Sequence, residues 1–102
     1  MPKAERWVFD TGEVRWAFMC PGCGIDHALH VSGGKPGSPK WQFNNDPNYP
    51  TFTPSVHVHY TRTGFPDEIC HSFVRAGYIE FLGDCTHELA GHTVELPDLD
   101  GA

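Results

Sequence analysis

Nine prolines and eleven glycines divide a chain of 102 residues into short pieces. Proline fixes φ and removes a backbone donor, and glycine weakens any regular element that contains it. Long helices are therefore excluded, and the pieces that remain are of strand length. Their hydrophobic periodicity is mostly two. Arg6-Trp7-Val8-Phe9, the turn Asp10-Thr11-Gly12 and the run Glu13 to Met19 read as a hairpin. In it Val14, Trp16 and Phe18 share one face, and Arg15 and Ala17 the other. His27 to Val31 reads as a third strand, Trp41-Gln42-Phe43 as a short one, and Val56 to Tyr60 as a cleanly alternating one. "SGGKPGSP" is a loop, and "NNDPNYPTFTP" is a loop that its prolines keep from being helical. Phe73-Val74 and Tyr78 to Leu82 flank Ala76-Gly77 as a second hairpin, and Thr93 to Leu96 is a last strand. Only Thr86 to Ala90 can form a helical turn, with Thr86 as its cap and Gly91 at its end. The fold expected is mostly β: a small twisted antiparallel sheet or open barrel with a zinc knuckle and at most one short helical turn.

Length allows one domain, taken as 1–97, with 98–102 as a flexible acidic tail. A net charge of −6 with histidines neutral, and no basic stripe, argue against nucleic acid. No apolar run approaches a membrane span, and Asp10, Glu13 and Arg15 interrupt any signal-peptide core. The expectation is a cytoplasmic, soluble protein.

The four cysteines are the strongest chemical signal. Cys20-Pro21-Gly22-Cys23-Gly24 closes a strand as a CPxCG knuckle. Its Pro and Gly make the tight turn that aims two thiolates at one point, with a backbone N–H donating to the first sulfur. This is half of a zinc ribbon. The other half should be a second close pair, yet Cys70 and Cys85 are far apart in sequence. The hairpin repairs this. With Ala76-Gly77 as a two-residue turn, Arg75 pairs with Tyr78, Val74 with Ile79 and Ser72 with Phe81. Cys70 and, if the strand runs on, Cys85 then share a face at the open end. The expected ligands of one Zn²⁺ are Cys20, Cys23, Cys70 and Cys85. Disulfides, a redox CxxC, and a mixed site in which His27, His71 or His87 replaces a cysteine are the competing readings.

Two enzyme motifs fail on spacing. His87 and His92 stand five apart, one more than a zinc-protease HExxH, which on a helix would point them apart. The zinc-deaminase pattern needs an H-x-E upstream of its cysteines, and no histidine precedes Cys20. What remains is a serine, three histidines and an aspartate near the zinc end: Ser72, His27, His71, His87 and Asp84. This is the inventory of nucleophilic hydrolysis. His71 faces away from Ser72 if the strand is regular, and an Asp84–His71 hydrogen bond is feasible. The plainer reading is that the histidines support zinc-bound sulfurs and the serine satisfies a neighbour. His30, His57 and His59 should face solvent.

"CPGCGIDH", "WQFNNDPNYPTFTPSV" and "CHSFVRAGYIEFLGDCTHELAGHTVELP" resemble, in order, a small phage and prophage family of unknown function. That family is often mislabelled ammonia monooxygenase, and its relatives accompany ubiquitin-like conjugation genes as peptidases. The resemblance spans roughly residues 14–97 and implies that Cys20, Cys23, His27, Cys70, His71, Ser72, Asp84, Cys85 and His87 are family-motif positions. Asn45 departs from an expected glycine and His92 from an expected glutamine, neither at the site. The monooxygenase label has no support in the residues. The resemblance implies a zinc-binding phage-type peptidase or hydrolase in the bacterial host cytoplasm. Ser72 would be its nucleophile, His27 or His87 its base and Asp84 the orienter. The alternative is a non-catalytic, zinc-stabilised interaction module acting on a host or phage protein.

Overall fold

A computed structural model of the protein describes residues 2–99. These form eight strands and no helix: β1 (Ala4–Val8), β2 (Val14–Met19), β3 (Asp26–Ser32), β4 (Gln42–Phe43), β5 (Phe52–Tyr60), β6 (Glu68–Arg75), β7 (Tyr78–Phe81) and β8 (Thr93–Glu95). Two antiparallel sheets result, β1-β2-β3 and β4-β5-β6-β7-β8, each ordered as in the chain and neither closed into a barrel. The segment expected as a helical turn is instead a pair of four-residue turns. There Ala90 N–H donates to His87 O at 3.3 Å and His92 N–H to Leu89 O at 2.9 Å.

The sheets meet through aromatic side chains. Phe18 of β2 lies 5.9 Å from Phe52 of β5, Phe52 stacks on Phe43 at 4.9 Å, and Trp16 meets Phe43 at 4.5 Å. Val56, Val74, Ile79, Phe81 and Leu96 complete a core that is fully shielded from solvent. Truncating one of its aromatic residues to alanine costs about 3–5 kcal/mol in a typical domain, a large share of a small protein's stability.

The β6–β7 hairpin has the expected register: Arg75↔Tyr78, Val74↔Ile79, Ser72↔Phe81. Both turn residues have positive φ, 50° at Ala76 and 84° at Gly77, which is the backbone of a two-residue hairpin turn. Ala76 holds this strained conformation because its N–H donates to Thr51 Oγ1 at 2.8 Å, while Gly77 N–H donates to Pro50 O at 3.0 Å.

β5 begins earlier than its sequence suggests, at Phe52, and contains Pro54. The reason is a bulge. Between the pairs Phe52↔Val74 and Val56↔Ser72, three residues of β5 oppose the single residue Phe73. A bulge tolerates proline because the ladder is already interrupted there. His30 also differs from expectation. It is buried, its Nε2–H donating to Gly33 O at 2.7 Å, because the loop after β3 folds back over it.

Of the segment expected as a free tail, Asp98 accepts from Lys3 Nζ at 2.7 Å and Leu99 N–H donates to Pro2 O at 2.9 Å. Residues 100–102 lie outside the described residues.

Asparagine adopts positive φ far more readily than alanine and is favoured at this turn position. Ala76→Asn is therefore expected to raise unfolding stability by about 1 kcal/mol in a denaturant titration, since left-handed backbone costs an ordinary residue about that much. An unchanged or lower midpoint would mean that the Thr51 bond already offsets the strain.

Candidate functional site

Two groups of chemistry-bearing side chains lie on opposite faces of the β5–β6 pair. Alternation along β6 sends Cys70, Ser72 and Val74 inward and His71 outward. On β5, Val56 and Val58 oppose Ser72 and Cys70, while His57 opposes His71.

On the inner side, Cys20, Cys23, Cys70 and His87 offer ligand atoms that all lie within 4.8 Å of one another. The knuckle supplies two of them. Cys20 N–H donates to Ile25 O at 3.0 Å and Gly24 N–H to Cys20 O at 2.8 Å, and the Cys23 N–H reaches Cys20 Sγ at 3.4 Å. Cys70 comes from β6 and His87 from the loop after β7. A side chain on Gly22 would overlap the His87 ring, so glycine is required for the imidazole to close on the knuckle. The cluster fits a bound metal ion. Cys20 Sγ and Cys70 Sγ are 3.8 Å apart. Two thiolates on a tetrahedral ion with bonds of about 2.3 Å would stand at roughly that separation. His87 Nε2 is buried with no hydrogen-bond partner. Cys20, Cys23, Cys70 and His87 could therefore hold a metal ion.

The thiols are poised for a cation. The hydrogen bond from Cys70 pulls the Cys20 thiol down to about 4. The same bond drives Cys70 up, and burial followed by the Cys20 charge pushes Cys23 up to about 11. The thiolate is thus favoured at Cys20, and a cation nearby would favour ionisation of the other two. Burial, then the neighbouring cysteines, also push the Tyr60 hydroxyl up to about 12. His27 is buried beside this cluster, with Tyr60 Oη 3.4 Å from its Nδ1 and its Nε2 unpartnered.

Cys85, expected as the fourth ligand, is not among the atoms that lie within 4.8 Å of one another. β7 stops at Phe81, and Cys85 N–H closes a turn onto Leu82 O at 3.2 Å. The turn carries Cys85 off the face that a continued strand would have given it. Its Sγ instead accepts from His71 N–H and its thiol donates to His71 O, each at 3.2 Å. His87 stands where Cys85 was expected.

Ser72, expected as a nucleophile, is completely buried between its cross-strand partners Val56 and Phe81, and its hydroxyl has no hydrogen-bond partner. Neither His27 nor His87 comes within hydrogen-bond reach of it. The serine that meets an imidazole is Ser55. Its Oγ lies 3.3 Å from His71 Nε2, and His71 Nδ1 lies 3.1 Å from Asp84 Oδ2. The bulge sets Ser55 two residues before His57, hence on the outer face with His57 and His71. Trp41 Nε1–H fixes the Ser55 backbone by donating to its carbonyl at 3.3 Å. The Cys85 sulfur thus holds the backbone of His71 at both its N–H and its C=O. The Gly83-Asp84 turn brings the carboxylate to the ring, as the sequence suggested. The His57 ring packs against that of His71, centroids 4.8 Å apart. A carboxylate can only accept, so Nδ1 carries the proton and Nε2 is free to accept from Ser55. Serine, imidazole and carboxylate are thus linked in series at the surface. Beside Ser55 lies a cleft of about 360 Å³ bounded by Phe52, Thr53, Pro54, Phe73 and Arg75, with the Arg75 guanidinium 4.3 Å above the Phe73 ring.

A family model described as bacterial ubiquitination-like system serine protease (BubE) matches residues 2–82. That span contains Ser55, His71 and three of the four clustered ligands, while Asp84 and His87 follow it. No curated protein and no solved structure matches.

Elemental analysis of protein purified under reducing conditions is expected to find one metal ion per chain. Cys20→Ser, Cys23→Ser, Cys70→Ser, His87→Ala and Gly22→Ala should each release it, and Cys85→Ser should retain it. Release by Cys85→Ser with retention by His87→Ala would restore the four-cysteine site.

Proposed function

The chain belongs to the bacterial ubiquitination-like system serine protease (BubE) family, and on that premise we propose that Ser55, His71 and Asp84 are its catalytic triad. The reaction is hydrolysis of a peptide or isopeptide bond on a protein substrate of a ubiquitination-like system. The observation behind this reading is the Ser55 Oγ–His71 Nε2 contact in series with His71 Nδ1–Asp84 Oδ2. A serine hydroxyl is a weak nucleophile until a base takes its proton, and His71 is that base. The 3.3 Å separation is at the long end, as in many substrate-free sites.

Ser55 Oγ attacks the carbonyl carbon as its proton passes to His71 Nε2. Asp84 stabilises the imidazolium and holds the ring in the tautomer that can accept. The proton then moves to the leaving amine, the C–N bond breaks, and an acyl-Ser55 ester remains. Water attacks that ester, with His71 taking the water's proton and returning it to Ser55. The cleft beside Ser55 receives the residue next to the scissile bond, against the Phe73 ring.

We assign the ion at Cys20, Cys23, Cys70 and His87 as zinc, since three thiolates and an imidazole form a standard structural donor set. When bound it supplies folding energy, an apparent ~10–16 kcal/mol in small modules, and four protein donors leave no position for substrate. The four free cysteines suit a reducing compartment, which supports a cytoplasmic location.

Ser55→Ala and His71→Ala are each expected to abolish peptidase and esterase turnover with zinc content and circular dichroism unchanged. Asp84→Asn should lower kcat by about 10³–10⁴-fold. Ser72→Ala should leave kcat essentially intact and stability little changed, because it removes a buried hydroxyl that bonds to nothing. Full activity in Ser55→Ala would reject the triad, and a binding-only module would then be the better account.

A further inference from the structure

A second and larger cleft opens at the far end of the β5–β6 pair, about 640 Å³ in volume. Ile25, His59, Arg62, Ile69, Thr86 and His87 are among its walls. The triad does not line it, and of the four clustered ligands Cys23 and His87 form one wall. Its walls are tied to both. His87 belongs to the metal cluster, Thr86 accepts from Ile69 N–H at 3.0 Å, and Ile69 precedes His71 by two residues on the same face of β6.

The strands fix how far this cleft lies from the reacting atoms. Ser55, His57 and His59 stand in a row on the outer face of β5, and His59 pairs with Ile69. At about 3.3–3.4 Å per residue, His59 is about 13 Å from Ser55. An extended peptide advances by the same amount per residue, so one lying along this row from the scissile bond reaches the cleft with about its fourth residue. The lining of the cleft is mixed: Ile25 and Ile69 offer apolar surface between the polar side chains of His59, Arg62, Glu68 and Thr86. Ile25 is 47% exposed at the cleft, although an isoleucine normally seeks burial, and Ile69 is partly exposed beside it. The neighbouring Arg62 is already stacked over the Phe65 ring at 4.5 Å.

We propose that this cleft is a specificity subsite for a leucine-sized or larger apolar side chain, about four residues from the cleaved bond of the substrate. The proposal rests on Ser55 being the nucleophile. Its consequence is that efficient substrates are extended segments whose recognition is split between two clefts, one on each side of His71. Short esters need only the nearer one.

The test uses quenched-fluorescence peptides carrying Leu, Ala or Asp at the fourth residue on either side of the cleavable bond, with p-nitrophenyl acetate as a short substrate. On one side of the bond, Leu should raise kcat/KM over Ala about tenfold, as an extra apolar group in a pocket does, and Asp should lower it. Ile25→Asp should erase that preference by raising KM, with turnover of p-nitrophenyl acetate and zinc content unchanged. Arg62→Ala, at the polar rim, should keep the preference for Leu. The proposal is overturned if no fourth-residue preference exists on either side, or if Ile25→Asp preserves it in full. If Ile25→Asp instead slows the ester and the peptides equally, the cleft serves structure and the proposal also falls. Absence of Ser55-dependent turnover of the ester would remove the hydrolase reading itself, and this subsite with it.

Discussion

The pairing of β5 with β6 is the constraint on which everything else in the molecule depends. His57 opposite His71, and Val56 opposite Ser72, assign one face to chemistry and the other to the core. Side chains alternate with a period of two, so a slip of one residue would exchange these faces. It would bury His71 and expose Cys70. The aromatic junction between the sheets resists such a slip, because Phe52 must stay against both Phe18 and Phe43. The bulge adds what regular pairing cannot. It spends extra residues of β5 against Phe73 and so keeps Ser55 in phase with His57 after Pro54.

The clustered ligands secure this pair at one end. They join the β2–β3 knuckle of one sheet to β6 and the loop after β7 of the other, a link that no strand ladder makes. A chain of this size buries a modest core. A metal link worth about 10 kcal/mol or more would exceed any single packing contribution, which for an aromatic residue is about 3–5 kcal/mol. The same loop carries Asp84, Cys85 and His87 to three different places: the outer imidazole, the backbone of His71 and the inner sulfurs. A metal ion in the cluster would thereby be mechanically linked to the placement of the carboxylate through four consecutive residues.

Much of this was legible from the residues. The knuckle, the Ala76-Gly77 turn and the β6–β7 register follow from local rules, and so does the approach of Asp84 to His71. The geometry departs from expectation mainly where a strand ends or breaks. Cys85 lay on the face of Cys70 only if β7 continued, and β7 ends at Phe81. Ser55 was hidden in a proline-rich stretch that reads as loop, although its phase with His57 was available once β5 was extended backward. Ser72 was expected on the face of Cys70 with His27 or His87 as its base, and its hydroxyl is buried there without a hydrogen-bond partner. His30 was assigned to solvent by the same alternation, and a folded-back loop covers it.

The central claim is that the reactive serine is Ser55 and not Ser72. Labelling the native protein with a fluorophosphonate and mapping the adduct by peptide mass spectrometry decides between them directly. The account predicts a single adduct on the peptide containing Ser55, absent when His71 is replaced by alanine. An adduct on Ser72, or labelling of Ser55 that is indifferent to His71, would contradict it.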